Sequence, residues 1–185
     1  MSPSLLLAFQ NQILLQCRFL LFASQELERG IAQSDYTLIF YSIQNLLGAA
    51  ANISKVLWGT QGKKPSEKHR MQARKPLRDS LGVSDSSPLR SVTMRNNYEH
   101  FDERLEEWER LSRRHNSIDL SLLSGNAIAG MENRDLFRNY DPVAMTLMFW
   151  GEQYDIKALV NEASRLLPKV EEELMKSYFL RKPIP

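Results

Sequence analysis

Three side chains within one short run, Met94 to Arg104 (M-R-N-N-Y-E-H-F-D-E-R), are of types that do chemistry together: Arg95, Asn96 and His100. Histidine suits proton transfer near neutral pH. Arginine stays charged and offers forked donors that match a phosphate. Asn96 can hold an oxygen of the same ligand, or it can orient His100, four residues on and on its own helical face. Glu103 and Glu107 share that flank, either as partners of the imidazole or, more commonly for such residues, as plain surface carboxylates. The combination is a proton-transfer group beside an anion clamp.

The bare Arg-x4-His spacing occurs twice. Arg110 and His115 repeat it, but Leu111 replaces the polar residue, and the run R-L-S-R-R-H falls where a helix should end. Cations there are expected from the negative end of the helix dipole. His69, His100, His115 and the lone Cys17 make no zinc-type set, no Glu-x-x-His pair exists for a di-iron site, and no glycine-rich Walker-type loop occurs. No metal or cofactor is expected.

The run Arg95-Asn96-x3-His100 resembles the signature of the higher-eukaryote and prokaryote nucleotide-binding (HEPN) domains. Those are small all-helical domains, and many are metal-independent ribonucleases that act as dimers. The resemblance implies that Arg95, Asn96 and His100 are the catalytic residues of a metal-independent endoribonuclease. In that reaction the RNA 2′-hydroxyl loses a proton as it attacks the phosphate, the leaving 5′-oxygen gains one, and the anionic phosphorus is stabilised. It also implies an RNA substrate, a homodimer with a composite site at its interface and, for a toxin or phage-defence component, an antitoxin partner protein. The alternative it leaves is a catalytically inactive RNA- or nucleotide-binding or structural dimer module. Some members carry a Tyr two places after the His that partner enzymes modify; here that place is Asp102. Residues 117–154 lie outside the resemblance.

Spacing bears on the dimer. On a regular helix Arg95 and His100 stand about 140° apart around the axis. A compact dyad within one chain would need a bent Arg side chain or a distorted helix, whereas a two-fold dimer with the motif helices facing each other could combine groups from both copies.

The elements that must position these residues follow from periodicity. The 185 residues suit one domain, 1–185, with an ordinary balance of 43% hydrophobic and 25% charged residues and a net charge of +2. Cys17 reads as a buried thiol, which favours a cytoplasmic location. No positive residue precedes the apolar Leu5, Leu6, Leu7 and Phe9, so no signal peptide is expected, and polar residues from Gln10 to Arg18 interrupt the run, so no membrane span is expected. The fold expected is mainly α, an antiparallel helical bundle of about five helices with one small β-hairpin.

A first helix runs from Pro3 to about Glu28 and ends at Gly30 as a C-cap. Its extra apolar residues Leu5, Phe19, Leu21 and Phe22 indicate burial on two sides. Ser34 or Asp35 caps a second helix reaching Trp58, with Ile39, Ile43, Leu46, Ala50, Ile53 and Leu57 inward; Gly59 and Gly62 close it. The stretch 63–78 is strongly basic and reads as a connection with a short helix broken near Pro76. It is either a solvated loop or a grip on the RNA backbone through Lys63, Lys64, Lys68, Arg70, Arg74 and Lys75. Ser87 and Pro88 start the motif helix, which continues to about Arg113 with Met94, Tyr98, Phe101, Leu105 and Trp108 facing a core. Ile118, Leu120 and Leu122 alternate as a strand that could pair with 144–150, across a loop flanked by Gly125 and Gly130. Asp155 caps a last helix that Pro168 should kink or break before it resumes through Tyr178.

Overall fold

The computed structural model describes residues 1–60, 64–113, 115–124 and 131–179, with 177–179 described by their backbone alone. The chain is mainly α, with a small four-stranded mixed sheet. Its first helix, α1 (Pro3–Gln33), opens on Ser2, whose hydroxyl accepts the Leu5 N–H, with Pro3 in the first turn. Ile13, Cys17, Leu20 and Leu27 form its buried stripe. Burial, and then the Glu162 charge, pushes the Cys17 thiol up to about 12.

The helix does not stop at Gly30. It runs to Gln33 and closes on Ser34 in the left-handed region, φ 55°. Gly30 serves packing instead, since a Cβ there would come within 3.0 Å of Ile39. The close approach lets α2 (Tyr36–Trp58) fold straight back, with the Asp35 carboxylate capping it on the Leu38 N–H at 2.9 Å. All six residues expected inward on α2 are buried. Asn52 on α2 donates to Gln16 on α1, so the two helices run antiparallel. On another side of α1 lies α7 (Ile156–Phe179), tied by an Arg18–Glu171 ion pair and capped by Asp155 on the Ala158 N–H. Pro168 does not break it: Ser164 loses its helical donor, but both residues face water, which can replace the bond.

The basic stretch holds α3 (Pro65–Ala73) and α4 (Lys75–Ser80), interrupted at Arg74. Gly62 and Lys63 lie outside the described residues, as do Gly125 and Gly130. The motif segment is not one helix. Ser87 and Pro88 open only a 3₁₀ turn (Pro88–Arg90), the Ser87 hydroxyl donating to Glu162 at 2.8 Å. Then come α5 (Thr93–Glu99) and α6 (Phe101–Leu111), separated at His100 with φ −103° and ψ 37°. The two halves serve different neighbours. Met94 on α5 is buried where α5 packs on α2, while Phe101 and Trp108 on α6 meet the ring of Phe137 edge-on, centroids 5.7 and 5.8 Å away. A straight helix could not satisfy both. Leu105, expected inward, is 38% exposed.

The sheet is β1 (Ser121–Leu122), β2 (Asn139–Asp141), β3 (Thr146–Phe149) and β4 (Glu152–Asp155), in that order. β1 pairs parallel with β2, and β2, β3 and β4 pair antiparallel in turn. The segment 118–122 therefore does not pair with 144–150; Ile118 bridges Leu136 and Leu122 faces Tyr140 in register. Leu120, at φ 51°, limits β1 to two residues.

Candidate functional site

The break at His100 shapes the site. The His100 N–H still donates to the Asn96 carbonyl, and its own carbonyl accepts the Arg104 N–H, so His100 closes α5 and opens α6. Asn97 holds the turn from inside. It is buried, donates to Glu152 at 3.2 Å and accepts from Arg104 at 3.3 Å. Nothing in the sequence distinguishes it from its neighbour Asn96 except that it falls on the inner face.

His100 itself is open to water, its side chain 54% exposed, with Nδ1 3.1 Å from Glu103 Oε1. Glu103, not Glu107, is thus the carboxylate on the imidazole; Glu107 pairs with Arg104 at 2.9 Å. A proton on Nδ1 donates to Glu103 and leaves Nε2 as an acceptor. Arg95 is half-buried and paired with Glu99, and it donates to Asn96 Oδ1 at 3.4 Å. Asn96 therefore turns its oxygen toward Arg95 rather than toward His100.

Arg95 lines a groove of about 570 Å³ formed by α1, α2 and α5, together with Phe19, Phe22, Tyr41, Tyr98 and Glu99. His100 is not part of its lining. The groove carries one arginine against Glu26 and Glu99, so its charge is net negative. The Tyr98 hydroxyl is buried with no hydrogen-bond partner among the described residues, and burial pushes its pKa well above the usual tyrosine range. Because the helix is broken, the 140° separation expected of a regular helix no longer describes Arg95 and His100, and it no longer argues for a composite site.

The basic stretch divides by role. Arg74 caps the C-terminus of α2, donating to the carbonyls of Lys55 and Val56, and lies 4.7 Å over the Phe9 ring. Arg78, buried, donates to the Leu57 and Met71 carbonyls. Each guanidinium reaches a carbonyl in the last turn of α2, Val56 for Arg74 and Leu57 for Arg78, where a helix end leaves acceptors open. Arg74 is therefore withdrawn from the phosphate-binding set. Lys75 pairs with Asp79 at 2.6 Å. The Lys64 backbone N–H donates to Glu67 at 2.9 Å while its side chain faces water. Lys68 and Arg70 are exposed. Lys63 lies outside the described residues.

Asp135 is a carboxylate in a built environment. It is buried and accepts from the Trp108 indole at 3.0 Å, the Ser112 hydroxyl at 2.9 Å and the Glu132 N–H at 3.1 Å. Burial raises its pKa, but these three donors outweigh burial and hold it below the usual carboxylate range. It anchors the end of α6 to the 3₁₀ turn Asn133–Asp135. Among the described residues no group of three or more His, Cys, Asp or Glu side chains is placed to hold a metal ion. The chain matches no family model, no curated protein and no solved structure.

Proposed function

We propose that this chain is a metal-independent endoribonuclease of the HEPN type, built on an antiparallel helical bundle of α1, α2 and α7. The observation that supports the reading is the helix break at His100. It exposes an imidazole held by Glu103 one residue beyond the turn that carries Arg95 and Asn96. His100 Nε2 takes the proton of an RNA 2′-hydroxyl as that oxygen attacks the phosphorus. The P–O5′ bond breaks, the 5′-oxygen leaves with a proton from the imidazolium, and a 2′,3′-cyclic phosphate remains. Arg95, released from Glu99, carries the charge on the phosphate, and Asn96 positions it. Lys64, Lys68 and Arg70 hold the flanking backbone. The active form is a homodimer acting in the cytoplasm, and a toxin of this kind would have an antitoxin partner protein.

A second reading, an RNA- or nucleotide-binding dimer module without turnover, is favoured by the Arg95–Glu99 pair, which occupies the phosphate clamp in the free protein. One experiment separates the two. Purified protein is incubated with bulk tRNA and mRNA in EDTA beside His100→Ala, which should lower the cleavage rate by about 10²–10⁴. Binding without cleavage in both samples would establish the second reading. Equal cleavage in both would move the chemistry away from His100.

A further inference from the structure

An exposed apolar surface lies on α1, away from the face buried against α2 and α7. Leu5, Ala8, Gln12, Leu15, Phe19 and Phe22 are all exposed, Phe19 by 52% and Phe22 by 62%. Their spacing alternates three and four residues, the heptad spacing of a helix that packs against another helix, and it keeps them within an arc of about 100°. The stripe borders the groove at Phe19 and Phe22, where Tyr41 on α2 adds a third exposed ring and Gly48 leaves open space.

We propose that α1 of a second copy docks antiparallel along this stripe across a two-fold axis. The stripe is its own complement in that orientation. An axis between residues 13 and 14 sets Leu5 opposite Phe22, Ala8 opposite Phe19 and Gln12 opposite Leu15. A small residue then meets the large ring, and apolar residues meet at both ends. The two Gln12 side chains fall on either side of the axis, about 4.5 Å apart along the helices, close enough to bond each other. A polar residue at one core position of such a seam specifies register.

The area is sufficient. At roughly 200 Å² for a whole large side chain, the exposed parts of Leu5, Leu15, Phe19, Phe22 and Tyr41 amount to on the order of 500 Å² per copy. Two copies bury about 1,000 Å², the lower edge of specific interfaces. The outer face of α6 is a poorer seam, because Asp102, Glu103, Glu106 and Glu109 are exposed there and two copies would oppose like charges. By length and composition α1 is also apolar enough to cross a membrane, with a mean hydropathy of 1.4 over an 18-residue window. A lipid surface, however, demands no register, and Gln12 in the middle of the stripe opposes insertion. The inference stands on the surface of α1, whether or not RNA is cleaved.

The test is sedimentation at micromolar concentration. The wild-type chain should be a dimer. Ala8→Phe and Phe19→Ala should each weaken it by about thirty-fold or more, and the double variant, which exchanges the large and small partners, should recover most of the loss. Far-ultraviolet circular dichroism of each variant keeps folding failure apart from loss of association. A monomeric wild type, or a double variant weaker than either single one, would overturn the proposal. So would a monomer that floats with neutral phosphatidylcholine vesicles, which would make lipid the occupant.

Discussion

The Arg95 guanidinium is paired with the carboxylate of Glu99, which sits immediately before His100 at the helix break. The clamp and the proton-transfer residue are thus linked through a side chain that takes no part in the chemistry. A phosphate entering the site must displace Glu99. Removing that competitor should strengthen RNA binding by up to about fivefold, the scale of a partly exposed ion pair of about 1 kcal/mol. Glu99→Gln should lower the Kd for a single-stranded RNA, and Arg95→Ala in the same background should abolish the gain. No change would mean that Arg95 does not contact phosphate.

Glu103 is a positioning residue, because it reaches the reaction only through His100. Glu103→Gln should lower kcat about tenfold with KM unchanged, a smaller loss than His100→Ala produces. Glu107→Gln should leave kcat alone, since Glu107 is turned toward Arg104. Equal effects of the two substitutions would dissolve the His100–Glu103 pair as a working unit.

The split within the basic stretch can be read from two measurements. Lys68→Glu and Arg70→Glu should weaken RNA binding across sequences and flatten its salt dependence by about one log–log unit per lost contact at most. Arg74→Ala should leave the salt slope alone. It should lower stability by about 1–3 kcal/mol in urea unfolding, because it takes from the Val56 carbonyl, in the last turn of α2, its guanidinium donor. A salt slope altered by Arg74→Ala would return that residue to the nucleic-acid contact set.

Asp135 predicts acid sensitivity. Its folded pKa is depressed, so the carboxylate stabilises the fold above the ordinary unfolded value of about 3.9. That contribution is lost as pH falls through the lower folded value. Asp135→Asn cannot accept from all three donors and should lower Tm near neutral pH. The gap between wild type and variant should narrow below about pH 4. A gap independent of pH would show that packing, not the charge, is what Asp135 contributes.

What the sequence by itself determined is local. The apolar period of α1, α2 and α7 and the caps at Asp35 and Asp155 are encoded within a few residues of where they act, and helix geometry converts them directly into structure. The extra apolar residues on α1 were equally visible, but the burial expected of them is not found within the chain: Leu21 is half-buried, while Leu5, Phe19 and Phe22 are exposed. The break at His100 was not readable, because Met94, Tyr98, Phe101 and Trp108 trace one unbroken helical stripe. Only packing divides it: α5 must reach α2 while α6 must reach Phe137, residues far apart in the chain. The same holds for Arg74, whose charge is plain in the sequence but whose acceptors, on Lys55 and Val56, become neighbours only after α3 and α4 fold back over the end of α2. Strand partners and the run of α7 through Pro168 were likewise decided by the tertiary structure. An alternating stretch names a strand without naming its neighbour, and a local helix breaker yields where its lost bond faces water and the flanking residues Leu166 and Val170 are buried.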